Sequence, residues 1–369
     1  MWKLTLFWLL LPTLPLNALT LTARTLGGNW SAAGTWSTSG SGGGAASAAP
    51  TPADDVILEA GSGNVALDGY GDLYCRSLDT TRGTGNYAGT LTTTQQPTLH
   101  IGDGTPGPSN VALKLNGSMT FSPNMSSIWS FESTSATQQT IDFAGLSGPN
   151  LTFNGAGGSW KLLSAYTEAT NNFQVGVTLI AGSLDTNSQA ITVDGVVSSG
   201  TATRSLTLGT STLNLGGYSS GWVFANTTGL TFSGASSTIT VQHPSATNMA
   251  FSSSGGPSLT FGTFNISCNG GNSGTLSTAN GTTFATLSFN APGYPTTCTW
   301  SLASNIVVTG TLTLAGWNST TKATLQSTVA GTVRHVTNVT RSLTNYTLTD
   351  IVFGTALNAI RHRVITGGE

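Results

Sequence analysis

The sequence predicts an all-β protein, a right-handed parallel β-helix (solenoid) of about 28 residues per coil behind an N-terminal cap. Three observations lead there. An apolar–hydroxyl–apolar triplet recurs along the chain. Residues within each repeat alternate apolar and polar with period two. The composition is poor in helix formers: Gly, Ser and Thr make up about 40% of the 369 residues. Hydrophobic residues reach 38% and the net charge is −2, so the chain has material for a core and lacks the low hydrophobicity and high charge of disorder.

Residues 1–18 have the layout of a secretory signal peptide. Lys3 precedes an apolar run from Leu4 to Leu16, and Asn17-Ala18 offers a small residue for cleavage. The run is short for a bilayer span and is broken by Pro12 and Pro15. Residues 19–53 read as an N-terminal cap and a Gly/Ser/Ala-rich linker, 54–350 as the parallel β-helix, and 351–369 as a C-terminal tail. The triplets centre on Thr120, Thr152, Thr178, Thr207, Thr231, Thr260, Ser288 and Thr313, a mean step of about 28 residues, inside the range of repeat architectures. Phe264-Asn265-Ile266-Ser267-Cys268 shows the period-two pattern of a strand. Asn154-Gly155-Ala156-Gly157-Gly158 and Ser252 to Pro257 are turn signals. One such unit cannot bury its own apolar face, so neighbours must stack. At about 4.8 Å per coil the rod is roughly 50 Å long. A string of β-sandwiches also shows frequent turns but does not require a recurring triplet.

Of three cysteines, Cys268 and Cys298 are separated by close to one coil. Stacking would bring their Cα atoms to about 5 Å, inside the range of a disulfide. Two stacked buried thiols fit the spacing equally. Cys75 reads as a core residue beside Leu73 and Leu78.

Twelve Lys and Arg do not make the basic stripe of a nucleic-acid binder. Of fourteen acidic residues, none lies between Gly195 and Thr349, so paired carboxylates for glycoside hydrolysis or calcium are confined to the N-terminal half. There, Asp54-Asp55 and Asp68-Gly-Tyr-Gly-Asp72 are the best clusters. They read more readily as turn residues capping backbone amides than as a site, and so do Asp185 and Asp194. His100, His243, His335 and His362 form no metal-ligand spacing. No nucleophile elbow or phosphate loop is present. The expectation is an absence of catalytic residues, of a metal site and of any cofactor. Candidate glycan contacts are the turn-proximal aromatics Tyr70, Tyr218, Trp222, Tyr294 and Trp317, which could equally pack in coil corners.

Gly28-Asn29-Trp30 to Thr35-Trp36-Ser37, followed by Pro50-Thr51-Pro52-Ala53-Asp54-Asp55-Val56-Ile57-Leu58, resembles the opening of secreted bacterial and bacteriophage surface β-solenoid repeat proteins, adhesin-like or tail-fibre-like. Cys75 to Asp79, Gly155 to Trp160 and Arg204 to Gly209 resemble the same group. The likeness implies an extracellular or virion-surface structural and adhesive role, and carries over no catalytic residue. The leading expectation is a non-enzymatic, secreted or cell-surface solenoid (alternatively on a virion). Its partners would be a glycan or cell-surface ligand and further copies of the chain, with no nucleic acid and no membrane span after signal cleavage. Two alternatives stay open. One is a polysaccharide-degrading lyase or hydrolase on a β-helix. The other is an ice-binding protein, against which counts that Thr-x-Thr, at 238–240, 311–313 and 347–349, does not recur on every coil.

Overall fold

The computed structural model describes residues 18–354 and 365–367, apart from 125, 170–174, 199, 217–220, 225, 244–249, 252–257, 269–272, 277–281 and 292–296. The chain is nearly all β, 54% strand and 2% helix, wound as a β-solenoid of about 10 turns. Each coil crosses three faces. Ser77–Asp79 lies on the first, Thr90–Thr93 on the second and Thr98–Ile101 on the third. Val111–Lys114 then returns to the first, with Leu113 opposite Leu78 in parallel register.

Period-two alternation sets which side chains point inward. On the second face Leu213, Ile239, Phe264, Leu287 and Leu312 stand one above another, all buried. On the third, Leu99, Trp129, Leu151, Val177, Val196 and Trp222 do the same. Burying one such side chain contributes about 1.5–3 kcal/mol, and each coil repeats the contribution. Aromatic rings reinforce the columns: Phe131 stacks on Phe153 at 5.2 Å and Phe261 on Phe284 at 5.2 Å.

Strand register is kept while corner lengths vary. A step along the first face takes 17 residues from Val336 to Phe353 and 35 from Leu78 to Leu113. The triplets therefore do not mark one face. Thr120, Ser288 and Thr313 lie on the second, Thr152 and Thr178 on the third, and Thr207, Thr231 and Thr260 on the first. Their mean spacing averages over three faces. The Gly-rich stretch Asn154 to Gly158 makes the corner from third face to first. A Cβ on Gly155 or Gly158 would stand 2.0 Å from the Ser133 carbonyl oxygen. Gly182, at φ +83°, turns the same corner one coil on, in the left-handed region that favours glycine.

Parallel pairing extends past residues 54–350 at both ends. Thr20–Ala23 pairs in parallel with Asp55–Ile57 and antiparallel with Trp36–Ser37. Trp30 and Trp36 are buried edge-to-face at 4.9 Å under this end of the rod. Ile351–Phe353 adds a parallel strand to the first face, and Ile365–Gly367 pairs antiparallel with Tyr346–Thr349 on the third.

The register places the two cysteines on different faces. Cys298 stands on the third face opposite Ala323, whereas Cys268 ends a strand of the second face opposite His243. In-register stacking is thus not how they are arranged. Cys298 is buried and disulfide-bonded, and the side chain of Cys268 lies outside the described residues. Cys75 is a buried free thiol whose pKa is raised by burial and the nearby Asp55 and Asp54. The apolar run read as a signal peptide falls outside the described residues up to position 17. Among the described residues, no helix is long and apolar enough to cross a membrane.

Candidate functional site

The acidic residues of the N-terminal half are largely engaged at corners. Asp54 accepts from the backbone N–H groups of Leu19 and Thr51 at 3.0 and 2.9 Å. Asp55 accepts from Arg76 Nε at 2.9 Å and Ser77 Oγ at 2.7 Å, and its hydrogen bond to Arg76 is the main cause holding the Arg76 pKa above its ordinary value. Asp68 accepts from the Ser31 N–H, and Asp79, Asp103, Asp142 and Asp185 each accept an N–H two residues on. This is the turn chemistry expected of Asp at loop positions. Glu168 is different. Burial pushes its carboxyl up to about 7; the Asp194 N–H that donates to it at 2.8 Å pulls downward, and the Asp194 carboxylate pushes up again. Among the described residues, no group of three or more His, Cys, Asp or Glu is arranged to hold a metal.

Of the candidate aromatics, Tyr70 is 75% exposed and Trp317 46% exposed. Both sit at the corner between the second face and the third. Tyr70 lies between Val65–Leu67 and Asp72–Cys75, and Trp317 between Ile306–Ala315 and Ala323–Ser327. Trp222 is a core ring, 2% exposed, stacked on Phe224 at 4.4 Å and edge-on to Phe261 and Phe264; it is no surface contact. Tyr218 and Tyr294 lie outside the described residues.

Next to the Tyr70 turn, the third face gathers a polar cluster that sequence spacing did not single out. Tyr74, His100 and Ser130 stand one above another on three consecutive strands. The Tyr74 and His100 rings stack at 4.9 Å. His100 Nδ1 lies 2.8 Å from Glu132 Oε1, and Nε2 lies 3.2 Å from Asp72 Oδ1. Ser130 Oγ donates to the same Glu132 oxygen at 2.7 Å. The imidazole fills the gap between the two carboxylates, the space a water or sugar would need for hydrolysis.

The second face of the C-terminal half carries a different surface. Thr212, Thr238, Thr263, Thr286, Thr311 and Thr340 are in register over six consecutive strands. Two positions along stand Asn214, Thr240, Asn265, Ser288, Thr313 and Ser342. From Thr212 to Thr313 these side chains are partly or fully exposed, except Ser288, which is buried. One threonine column thus recurs on these six coils, while Thr-x-Thr itself occurs on this face only at 238–240 and 311–313, as expected from the sequence. The sequence hid the column because the steps vary, from Thr263 to Thr286 and from Thr311 to Thr340, and because the second column mixes Thr with Asn and Ser. For the His100 cluster a signal did exist, since Asp72, His100 and Glu132 are separated by roughly one coil each.

No protein-family model matches the chain, and neither the curated proteins nor the solved structures contain a match.

Proposed function

We propose that the chain is a non-enzymatic structural and adhesive rod, displayed outside a bacterial cell or on a virion, whose ligand is a surface glycan. The observation that carries this reading is the shared corner of Tyr70 and Trp317, two exposed rings toward opposite ends of the rod on one edge. An aromatic face offers the apolar platform on which the C–H face of a sugar ring packs, while its polar handle stays wet. Two weak contacts far apart on a stiff scaffold favour a long or repetitive ligand, for which avidity multiplies modest affinities. The acidic residues beside Tyr70, Asp68 and Asp72, disfavour a polyanion as the ligand. The test is binding of the full chain to a glycan array and to insoluble polysaccharides, with Tyr70→Ala, Trp317→Ala and the double variant. Loss of retention in the double variant is expected. No retention by the native chain, or retention unchanged in the double variant, sinks the reading.

A second reading is supported by the hydroxyl columns of the second face. Their spacing is about 4.8 Å between strands and roughly 7 Å within a strand, a regular, uncharged lattice of short, χ1-restricted side chains suited to an ordered layer of water. Ice binding would show as thermal hysteresis lost on Thr263→Arg and Thr286→Arg but retained on Thr324→Arg, which lies on the third face. A native chain without hysteresis removes this reading.

A further inference from the structure

The cluster around His100 has a feature that turn chemistry does not explain. Carboxylates only accept hydrogen bonds, and a neutral imidazole carries one N–H and one lone pair. Glu132 Oε1 already receives the Ser130 hydroxyl proton and lies 2.8 Å from His100 Nδ1, so Nδ1 holds a proton. In the neutral ring, Nε2 then carries a lone pair, buried without a hydrogen-bond partner and 3.2 Å from Asp72 Oδ1. With both nitrogens protonated the ring is a cation between two carboxylates, hydrogen-bonded to Glu132 and at ion-pair distance from Asp72. The groups facing the ring from the neighbouring strands are Asp72 and Tyr74 on one side and Ser130 and Glu132 on the other. The cation nearest Asp72 in sequence, Arg76, is engaged by Asp55.

We propose that protonated His100 is a clasp. It ties three consecutive strands of the third face through Asp72 and Glu132 and fixes the turn that carries Tyr70. The glycan-contact role of Tyr70 is the reading above, and adhesion through it is then stronger in mildly acid surroundings. Deprotonation turns the Asp72 contact from attractive to repulsive and frees the 68–72 turn, two residues of which are the glycines flanking Tyr70.

The clasp and the adhesion are tested separately on the full chain. Amide hydrogen exchange of residues 68–72 is followed against pH after correction for the intrinsic rate, together with the nitrogen chemical shifts of the His100 ring. In the native chain, loss of the ring proton at Nε2 is expected to speed opening of the turn by about two- to fivefold, the scale of a contact with a partly exposed partner. His100→Gln and Asp72→Asn, the latter at an exposed side chain, are expected to remove the pH dependence. A turn whose protection does not change with pH in the native chain, or unchanged pH dependence in Asp72→Asn, overturns the clasp. If the turn responds as expected while glycan retention is absent, the clasp stands and only the adhesion reading fails.

Discussion

The two halves of the rod share one coil geometry and differ in how they hold their corners. Residues 54–194 contain twelve acidic side chains, and residues 195–349 contain none. In the first half, carboxylates of Asp54, Asp68, Asp79, Asp103, Asp142 and Asp185 receive the orphan N–H groups of turns. In the second half, neutral groups serve as the acceptors. Asn226 receives the Thr228 N–H, Asn318 those of Thr320 and Thr321, and Ser327 that of Val329. Where a cation is buried in the second half, it is satisfied without a carboxylate. Arg204, 1% exposed, donates to Ser198 Oγ and to the carbonyl oxygens of Ala202, Thr228 and Asn226. Burial holds its pKa below the ordinary value. A stacked coil therefore needs an acceptor at each corner, not a charge. Removing the carboxylates leaves a surface free of acidic groups over many coils.

Four measurements break or sharpen that contrast. The largest effect is expected where chemistry is the same in both halves, in the core. Phe264→Ala should cost about 3–5 kcal/mol, read as a drop in melting temperature and as faster hydrogen exchange in neighbouring coils, because solenoid stability is carried between nearest neighbours. Asp55→Ala should cost about 3 kcal/mol by stranding Arg76 at a partly buried position, with the loss concentrated in the N-terminal coils. If the loss spreads evenly, the halves are one cooperative unit. Arg204→Met should cost about 1–3 kcal/mol, the scale of several carbonyl and hydroxyl groups left without their donor. Its effect should be insensitive to salt, since no carboxylate is involved.

The smallest effect concerns pH. The Glu168 carboxyl titrates at about 7 in the folded chain against an ordinary 4.5, so folding favours its protonated form. That contribution is complete below pH 4.5 and is lost as pH rises through about 7. Glu168→Gln should flatten this part of the pH–stability curve. The variant should exceed the native chain above about pH 7 and match it at acid pH, where the carboxyl is protonated in both states. An unchanged curve would mean that the carboxyl is hydrated.

Much of the architecture was legible because solenoid strands announce themselves locally. The alternation in Phe264-Asn265-Ile266 and the glycines of Gly155 to Gly158 are constraints acting within a few residues. The turn role of Asp54 and Asp185 was legible for the same reason, since Asp caps an N–H close by. What was not legible is register across coils. Corner lengths vary without disturbing the strands, so the alignment of Thr263 with Thr286 and of Thr311 with Thr340 leaves no fixed spacing to detect. Trp222 fails as a surface contact on a local rule. In Trp222-Val223-Phe224 the period-two pattern puts the tryptophan on the same side as Phe224, and that side is the core.

The antiparallel strands at the two extremities have a consequence for assembly. A stack of parallel strands with open edges is a template for its own continuation, as in amyloid-like fibres. Here the outer edge of the first face is met by Trp36–Ser37, and the third face ends against Ile365–Gly367, both reversed in direction. A further copy cannot extend those edges in the same sense. Parallel continuation of the stack is therefore interrupted at those two edges.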